Sequence, residues 1–153
     1  MNERTFLRRL NARWAARRPP VVSVLRLDGV IGGSSRFQRG LNLDVLADEI
    51  DAAFAGARVR AVALAINSPG GAPVQAELIR QRLVSLSREK EVPIYAFCED
   101  VAASGGYWLA CAASKIYAQD ASVVGSIGVI SAGFGAPEFL AKIGVERRVY
   151  AAG

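Results

Sequence analysis

The run Val59 to Ile66, Val-Arg-Ala-Val-Ala-Leu-Ala-Ile, constrains the fold more than any other stretch. It is apolar at nearly every position, the pattern of a parallel strand buried on both faces. Parallel neighbours need long crossovers between them, usually helices, and helix and strand patterns alternate along this chain. Val21 to Leu27 reads as a strand closed by an Asp28-Gly29 turn, and Ile31 to Ser35 as a loop. Leu43 to Ala55 is a predicted helix with Leu43, Leu46, Ala47, Ile50 and Phe54 on one face and Gly56 to stop it. A second helix is predicted over Pro73 to Ser87, with Val74, Leu78, Ile79 and Leu83 facing inward. The strand Pro93 to Cys98, an apolar helix Tyr107 to Ala113 and the short strand Lys115 to Ala118 come next. Val123 to Ile130 is apolar but broken by glycines, Ala136 to Ile143 is helical with Gly144 as cap, and Val145 to Tyr150 is strand-like. This order predicts an α/β domain of β-α-β units around a largely parallel sheet.

Composition narrows the chemistry. The 153 residues suffice for one domain, and 52% hydrophobic with 22% charged residues is a globular balance. No apolar run reaches the roughly 18–20 residues of a membrane span, and the start Met1-Asn2-Glu3-Arg4 lacks a secretory apolar core. Cys98 and Cys111 lie in apolar segments and are expected to be buried free thiols. The chain has no histidine. A Ser-His-Asp triad, a Cys-His pair and a His-ligated metal site are therefore outside its means. A base for a serine would have to be a carboxylate, one of the three lysines Lys90, Lys115 and Lys142, or a group outside these residues.

Residues Arg4 to Arg18 form a predicted basic amphipathic helix with Phe6, Leu7, Leu10 and Trp14 on one face, ended by Pro19-Pro20. Residues 1–20 are thus set apart as an N-terminal segment. Peripheral contact with an anionic membrane is one expectation for it, and packing on its own domain or a partner subunit is the other. A net charge of +5 is a weak warrant for nucleic-acid binding, and none is expected.

Two glycine loops close successive predicted strands: Asn67-Ser68-Pro69-Gly70-Gly71 and Ser104-Gly105-Gly106. In a parallel sheet both open on the same edge, where ligands bind in open α/β folds. Ser104 stands where a strand hands over to a buried helix, the setting of a nucleophile elbow. The plainer alternative is a helix N-cap. A tetrahedral oxyanion needs about two preorganised N–H donors, and the backbone of Gly71 and of Gly105 can each offer one. A phosphate cradle is disfavoured, because no Lys-Ser or Lys-Thr pair comes after the glycines.

Three blocks in order, Asn67–Gly71, Ala103-Ser104-Gly105-Gly106-Tyr107-Trp108 and Gly125-Ser126-Ile127-Gly128-Val129, resemble the signature of the signal peptide peptidase SppA family, protease IV and SohB-like proteins included. The likeness runs from about Val21 to Gly153. It implies a ClpP/crotonase-like fold and a Ser–Lys dyad endopeptidase that degrades signal peptides or other membrane-associated peptides. It implies Ser104 as nucleophile, the Gly71 and Gly105 amides as oxyanion hole, and Gly125–Val129 as a structural block near the site. Residues 21–153 then form the protease domain, with Asn67, Ser68, Pro69 and Gly70 along the bound peptide. Neither cofactor nor metal is implied. Assembly into homo-oligomers is, and the location is expected to be membrane-associated or cytoplasmic.

The family's lysine lies three residues past a glycine, after a Gly-Val-…-Val-Tyr strand. Here that strand is Gly144 to Tyr150 and the glycine is Gly153, so the expected lysine falls past the last residue and the domain reads as cut short. Lys115 and Lys142 do not match its position. The second expectation is an inactive family member that serves as scaffold or oligomer partner. A crotonase-like acyl-CoA enzyme is third, disfavoured because Glu99 and Asp100 look like loop residues and no catalytic carboxylate matches.

Overall fold

The computed structural model describes residues 19–32, 40–128 and 137–144. The Arg4–Arg18 helix, the Val145–Tyr150 strand and the ends of two loop segments, Gly33–Ser35 and Val129–Ile130, lie outside them. The alternation read from the sequence is present. Strands β1 (Val21–Asp28), β2 (Val59–Ser68) and β3 (Ile94–Ala103) pair side by side, all parallel. The far edge of β3 is shared end to end by two short parallel strands, β4 (Lys115–Ala118) against Tyr95–Cys98 and β5 (Val123–Gly125) against Val101–Ala103.

The crossovers are helices α1 (Leu43–Phe54), α2 (Pro73–Lys90) and α3 (Gly105–Ala110). Because the strands advance in one direction and parallel crossovers are right-handed, all three helices fall on one face of the sheet. They pack there in sequence, α1 against β1, β2 and α2, and α3 against α2, β2 and β3. A short helix α4 (Pro137–Lys142) comes after β5.

Local chemistry sets the helix ends. Asn42 caps α1, its Oδ1 accepting from the Val45 N–H at 2.9 Å. Pro73 starts α2, where its missing N–H costs nothing. Glu91 ends it in the left-handed conformation (φ +54°), with Arg88 and Lys90 in the last turn facing the negative dipole end.

The core lies between the sheet and these helices. Leu25, Leu27, Leu64, Ile66 and Ile94 meet Ile50 and Phe54 of α1 and Ile79 and Leu83 of α2 in one cluster. Each fully buried Leu or Ile contributes about 1.5–3 kcal/mol. The inward stripe of α2 is Ala76, Ile79, Leu83 and Leu86. Val74 and Leu78, expected inside, are 69% and 39% exposed. Each stands two residues from a stripe position, about 200° round the helix. Cys98 is buried, and that burial raises its thiol pKa. Cys111 is exposed, because α3 stops at Ala110 and leaves it in a turn.

The second sheet face departs from expectation too. Val22 and Val24 are exposed, and Ala61, Ala63 and Ala65 are half-buried. Across these alanines the Arg26 Nη2 reaches both Glu99 carboxylate oxygens, at 2.8 and 2.9 Å. Phe97 and Tyr117 stack beside them with ring centroids 5.1 Å apart.

Candidate active site

β3 runs further than its apolar stretch, through Glu99 and Asp100 to Ala103. The two acids are strand residues, not loop. Their backbone carries an irregularity: Ile66 faces Cys98, but Ser68 faces Ala102, so β3 holds two extra residues there. Side chains capture the displaced backbone groups. Asn67 Oδ1 accepts from the Val101 N–H at 3.2 Å, and Ser122 Oγ donates to the Glu99 carbonyl at 2.6 Å. A bulge of this kind re-aims the chain beyond it, and Ser104 stands just past the end of β3.

Ser104 has φ +53° and ψ −119°, a conformation that L-residues avoid. It stands at the N-cap position of α3, but its exposed side chain makes no capping hydrogen bond there. The backbone is held on both sides. Ser104 N–H donates to the Gly125 carbonyl of β5 at 2.8 Å, and its carbonyl accepts from the Trp108 N–H at 3.0 Å. Strain of roughly 1–3 kcal/mol persists only where the surroundings over-determine it, and here a ladder partner and a helix turn do so.

The loop after β2 packs directly against this elbow. Ser68 is wholly buried, and its Oγ accepts from the Gly70 N–H at 3.2 Å. Gly70 and Gly71 have φ of +95° and +145°. A Cβ on Gly70 would stand 2.7 Å from the Gly105 nitrogen and 2.8 Å from Ser104 Cβ. One on Gly71 would strike the Ile31 carbonyl, and one on Gly106 the Ser68 carbonyl. The bridge to Ile31 uses the Gly70 carbonyl and the Ala72 N–H, both at 2.8 Å, and leaves the Gly71 N–H out. Gly105 is the first residue of α3, where N–H groups have no intrahelical partner.

The structure thus brings Ser104, Gly105, Gly70 and Gly71 together on one edge. Asn67 and Ser68 are directed elsewhere: one ties down the bulge, the other supports the loop from inside. Pro69 is exposed. Lys115 is remote, since it pairs with Tyr95 at the opposite end of β3. Tyr95 and Ala102 face Ala63 and Ser68 of β2, five residues apart, which is about 17 Å at the rise of a strand. Lys142 is exposed at the end of α4.

A cavity of about 570 Å³ opens beside Ser104. Gly71, Pro73, Ala76, Tyr107, Trp108 and Ile127 give it mainly apolar walls, and Ser126 and Gly128 from the end of β5 close one side. Glu77 also lines it. Hydrogen bonds from Arg80, Trp108 and Gln81 lower the Glu77 pKa to about 2. This cluster has no sign in the sequence beyond the i,i+3 spacing of Glu77 and Arg80. A larger cleft of about 710 Å³ lies at the other end of the sheet, lined by Asp51, Arg60, Arg82 and Glu89. It holds the Asp51–Arg82 ion pair and, among the described residues, no serine or cysteine.

Fold and elbow together define the class: an α/β chain with an exposed serine at a strained strand–turn–helix junction. Comparison shows what such a chain resembles. Residues 87–153 match the profile of Peptidase family S49. A putative signal peptide peptidase SppA of Enterococcus faecium is 36% identical over 95 residues, 62% of this chain and 27% of that protein. A solved membrane-bound stomatin-specific protease shares the fold, with a TM-score of 0.54 at 17% identity over 82% of this chain and 60% of that one. These matches support the SppA resemblance: the chain is similar to S49 peptidases of the SppA type and has a ClpP-like α/β fold.

A Brucella melitensis protein named Na(+)/H(+) antiporter NhaA is 53% identical over 134 residues, 86% of this chain but 18% of that protein. Among the described residues no helix is long and apolar enough to cross a membrane. Because the match covers only 18% of that protein, the antiporter name stays with it. The chain spans less than a third of the length of these two named relatives.

Proposed function

We propose that this chain carries the nucleophile half of a Ser–Lys dyad peptidase acting on apolar, membrane-associated peptides such as signal peptides. One observation carries the reading: Ser104 is held strained and exposed, with the Gly71 N–H, which has no backbone partner among the described residues, and the N-terminal Gly105 N–H in the loops packed against it. Ser104 Oγ attacks the scissile carbonyl and forms the C–O bond, and its proton passes to the base. The two amides receive the negative charge that develops on the carbonyl oxygen. Collapse breaks the C–N bond, the amine leaves with the proton, and water then hydrolyses the acyl-enzyme.

A positioned base is worth about 10²–10⁴-fold. Lys115 is at the wrong end of β3, so the base is assigned to the lysine that the family pattern puts three residues past Gly153. Such a lysine accepts a proton near neutral pH only if desolvation lowers its pKa. Of the Asn67–Gly71 loop, exposed Pro69 and the cavity-lining Gly71 form the wall along which the peptide lies, with Asn67, Ser68 and Gly70 supporting them from behind. Peripheral membrane contact through Arg4–Arg18 and assembly with further copies belong to the same proposal. Exposed Val74, Ile127 and Phe139 support the assembly.

Labelling with a fluorophosphonate probe tests the core of it. A chain extended past Gly153 with lysine at the third added position is expected to label, and its Ser104→Ala variant to stay blank. Equal labelling of the two excludes Ser104 as the nucleophile. No labelling of either favours the scaffold reading.

A further inference from the structure

Among the described residues the cavity beside Ser104 has a single charged wall residue, Glu77. Its carboxylate is fully engaged. Oε1 accepts from Arg80 Nη2 at 2.9 Å and from Gln81 Nε2 at 2.8 Å. Oε2 accepts from Arg80 Nε at 2.8 Å and from the Trp108 indole N–H at 2.6 Å. Two carboxylate oxygens offer about four lone-pair positions, so four donors leave none free. The arrangement closes on itself, because the Arg80 guanidinium also lies 5.7 Å from the Trp108 ring centroid. Trp108 is half-exposed, yet two partners from α2 fix its indole as a wall of the cavity.

We propose that Glu77, Arg80 and Trp108 form a positioning clamp that keeps this carboxylate from engaging bound peptide, so that the cavity takes an uncharged apolar side chain and turns away a basic one. The inference rests on the peptidase reading for the identity of the ligand as a peptide. Its physical content is a competition. An ionised carboxylate at the wall of an apolar cleft would pair with any lysine or arginine side chain that entered. Arg80, three residues on along the same helix, already occupies it and neutralises its charge. Removing Arg80 alone frees two acceptor positions and leaves the negative charge.

The test uses the whole chain with Trp14→Phe, which leaves Trp108 as its one indole. Trp108 fluorescence reports titration with N-acetyl-Ala-Ala-Leu-amide and N-acetyl-Ala-Ala-Lys-amide. The parent is expected to prefer the leucine peptide. Arg80→Met is expected to move the ratio of the two dissociation constants about fivefold toward lysine at low salt, the upper end for a solvent-accessible ion pair. High salt should erase the shift, and so should adding Glu77→Gln. A merely structural Arg80 would instead weaken both peptides alike. An unchanged ratio in Arg80→Met, a shift that survives Glu77→Gln, or no saturable binding of either peptide overturns the clamp. Fluorophosphonate labelling of the same proteins, extended past Gly153 as above, reads the peptidase proposal separately. Binding with the expected ratios but no label at Ser104 removes the nucleophile and keeps the clamp. Labelling with a fixed ratio removes the clamp alone.

Discussion

The two glycine loops look alike in sequence and solve the same problem in opposite ways. Each takes the chain from the end of a parallel strand into a helix on the same sheet face. The loop after β2 gives its positive φ angles to Gly70 and Gly71, which adopt them without a Cβ penalty. The elbow after β3 gives its positive φ to Ser104, and its glycines come afterwards with ordinary φ. The first loop is relaxed and internally bonded through the buried Ser68 hydroxyl. The second is strained and keeps its hydroxyl out toward the cleft. Glycine makes a turn possible; a serine in the same kind of turn indicates that the side chain itself is needed there. The relaxed loop also defines the room in which the strained one is held.

If that division is right, the relaxed loop should be the less tolerant of added atoms. Gly71→Ala places a methyl group into the Ile31 carbonyl at φ +145°. Overpacking and forbidden φ together are expected to cost about 3 kcal/mol or more, read as a lower urea midpoint at constant slope. A loss below about 1 kcal/mol would mean that the loop shifts freely, and that Ser104 is not held by it. A smaller effect is expected inside the same loop. Ser68→Ala keeps the volume but leaves the Gly70 N–H unpaired in the interior, which typically costs about 1–3 kcal/mol. A neutral substitution would show that Ser68 fills space and does not organise the turn.

The contrast between the loops is only half legible in the sequence. The parallel sheet and its crossovers can be read from Val21–Leu27, Val59–Ile66 and Pro93–Cys98, because burial imposes apolar runs that survive in any local context. The meeting of Ser104 with Gly70 and Gly71 comes from the same topology. The bulge in β3 does not. Glu99-Asp100 reads as the end of a strand, and Asn67 and Ser122, 34 and 23 residues from the backbone groups they bond, supply the bonds that let it continue. Asn67 reads as a peptide ligand for want of that partner. Val74 and Leu78 mislead because apolar residues spaced four apart fit a helix face, while the true stripe includes the small Ala76. The clamp is hidden for a related reason: Glu77 and Trp108 are 31 residues apart, and nothing local ties an acid on α2 to an indole on α3.

The smallest of these effects separates the loops most cleanly, because it has the opposite sign. Ser104→Gly removes the Cβ from φ +53° and should relieve roughly 1–3 kcal/mol of backbone strain. The greater freedom of glycine in the unfolded chain takes back about 0.5–1 kcal/mol. A net gain of about 1 kcal/mol is expected, seen as a rise in Tm of roughly 2–4 °C for a chain of this size. Ser104→Ala keeps the Cβ and therefore the strain, so it should lose the fluorophosphonate label without gaining stability. Calorimetry on the two variants distinguishes backbone from hydroxyl. If Gly and Ala melt together, the elbow costs nothing beyond an ordinary turn, and the two loops differ only in which side chain they carry. If Gly alone is stabilised, the protein holds Ser104 in an unfavourable conformation at a measurable loss of stability, and that loss is tied to where the hydroxyl points.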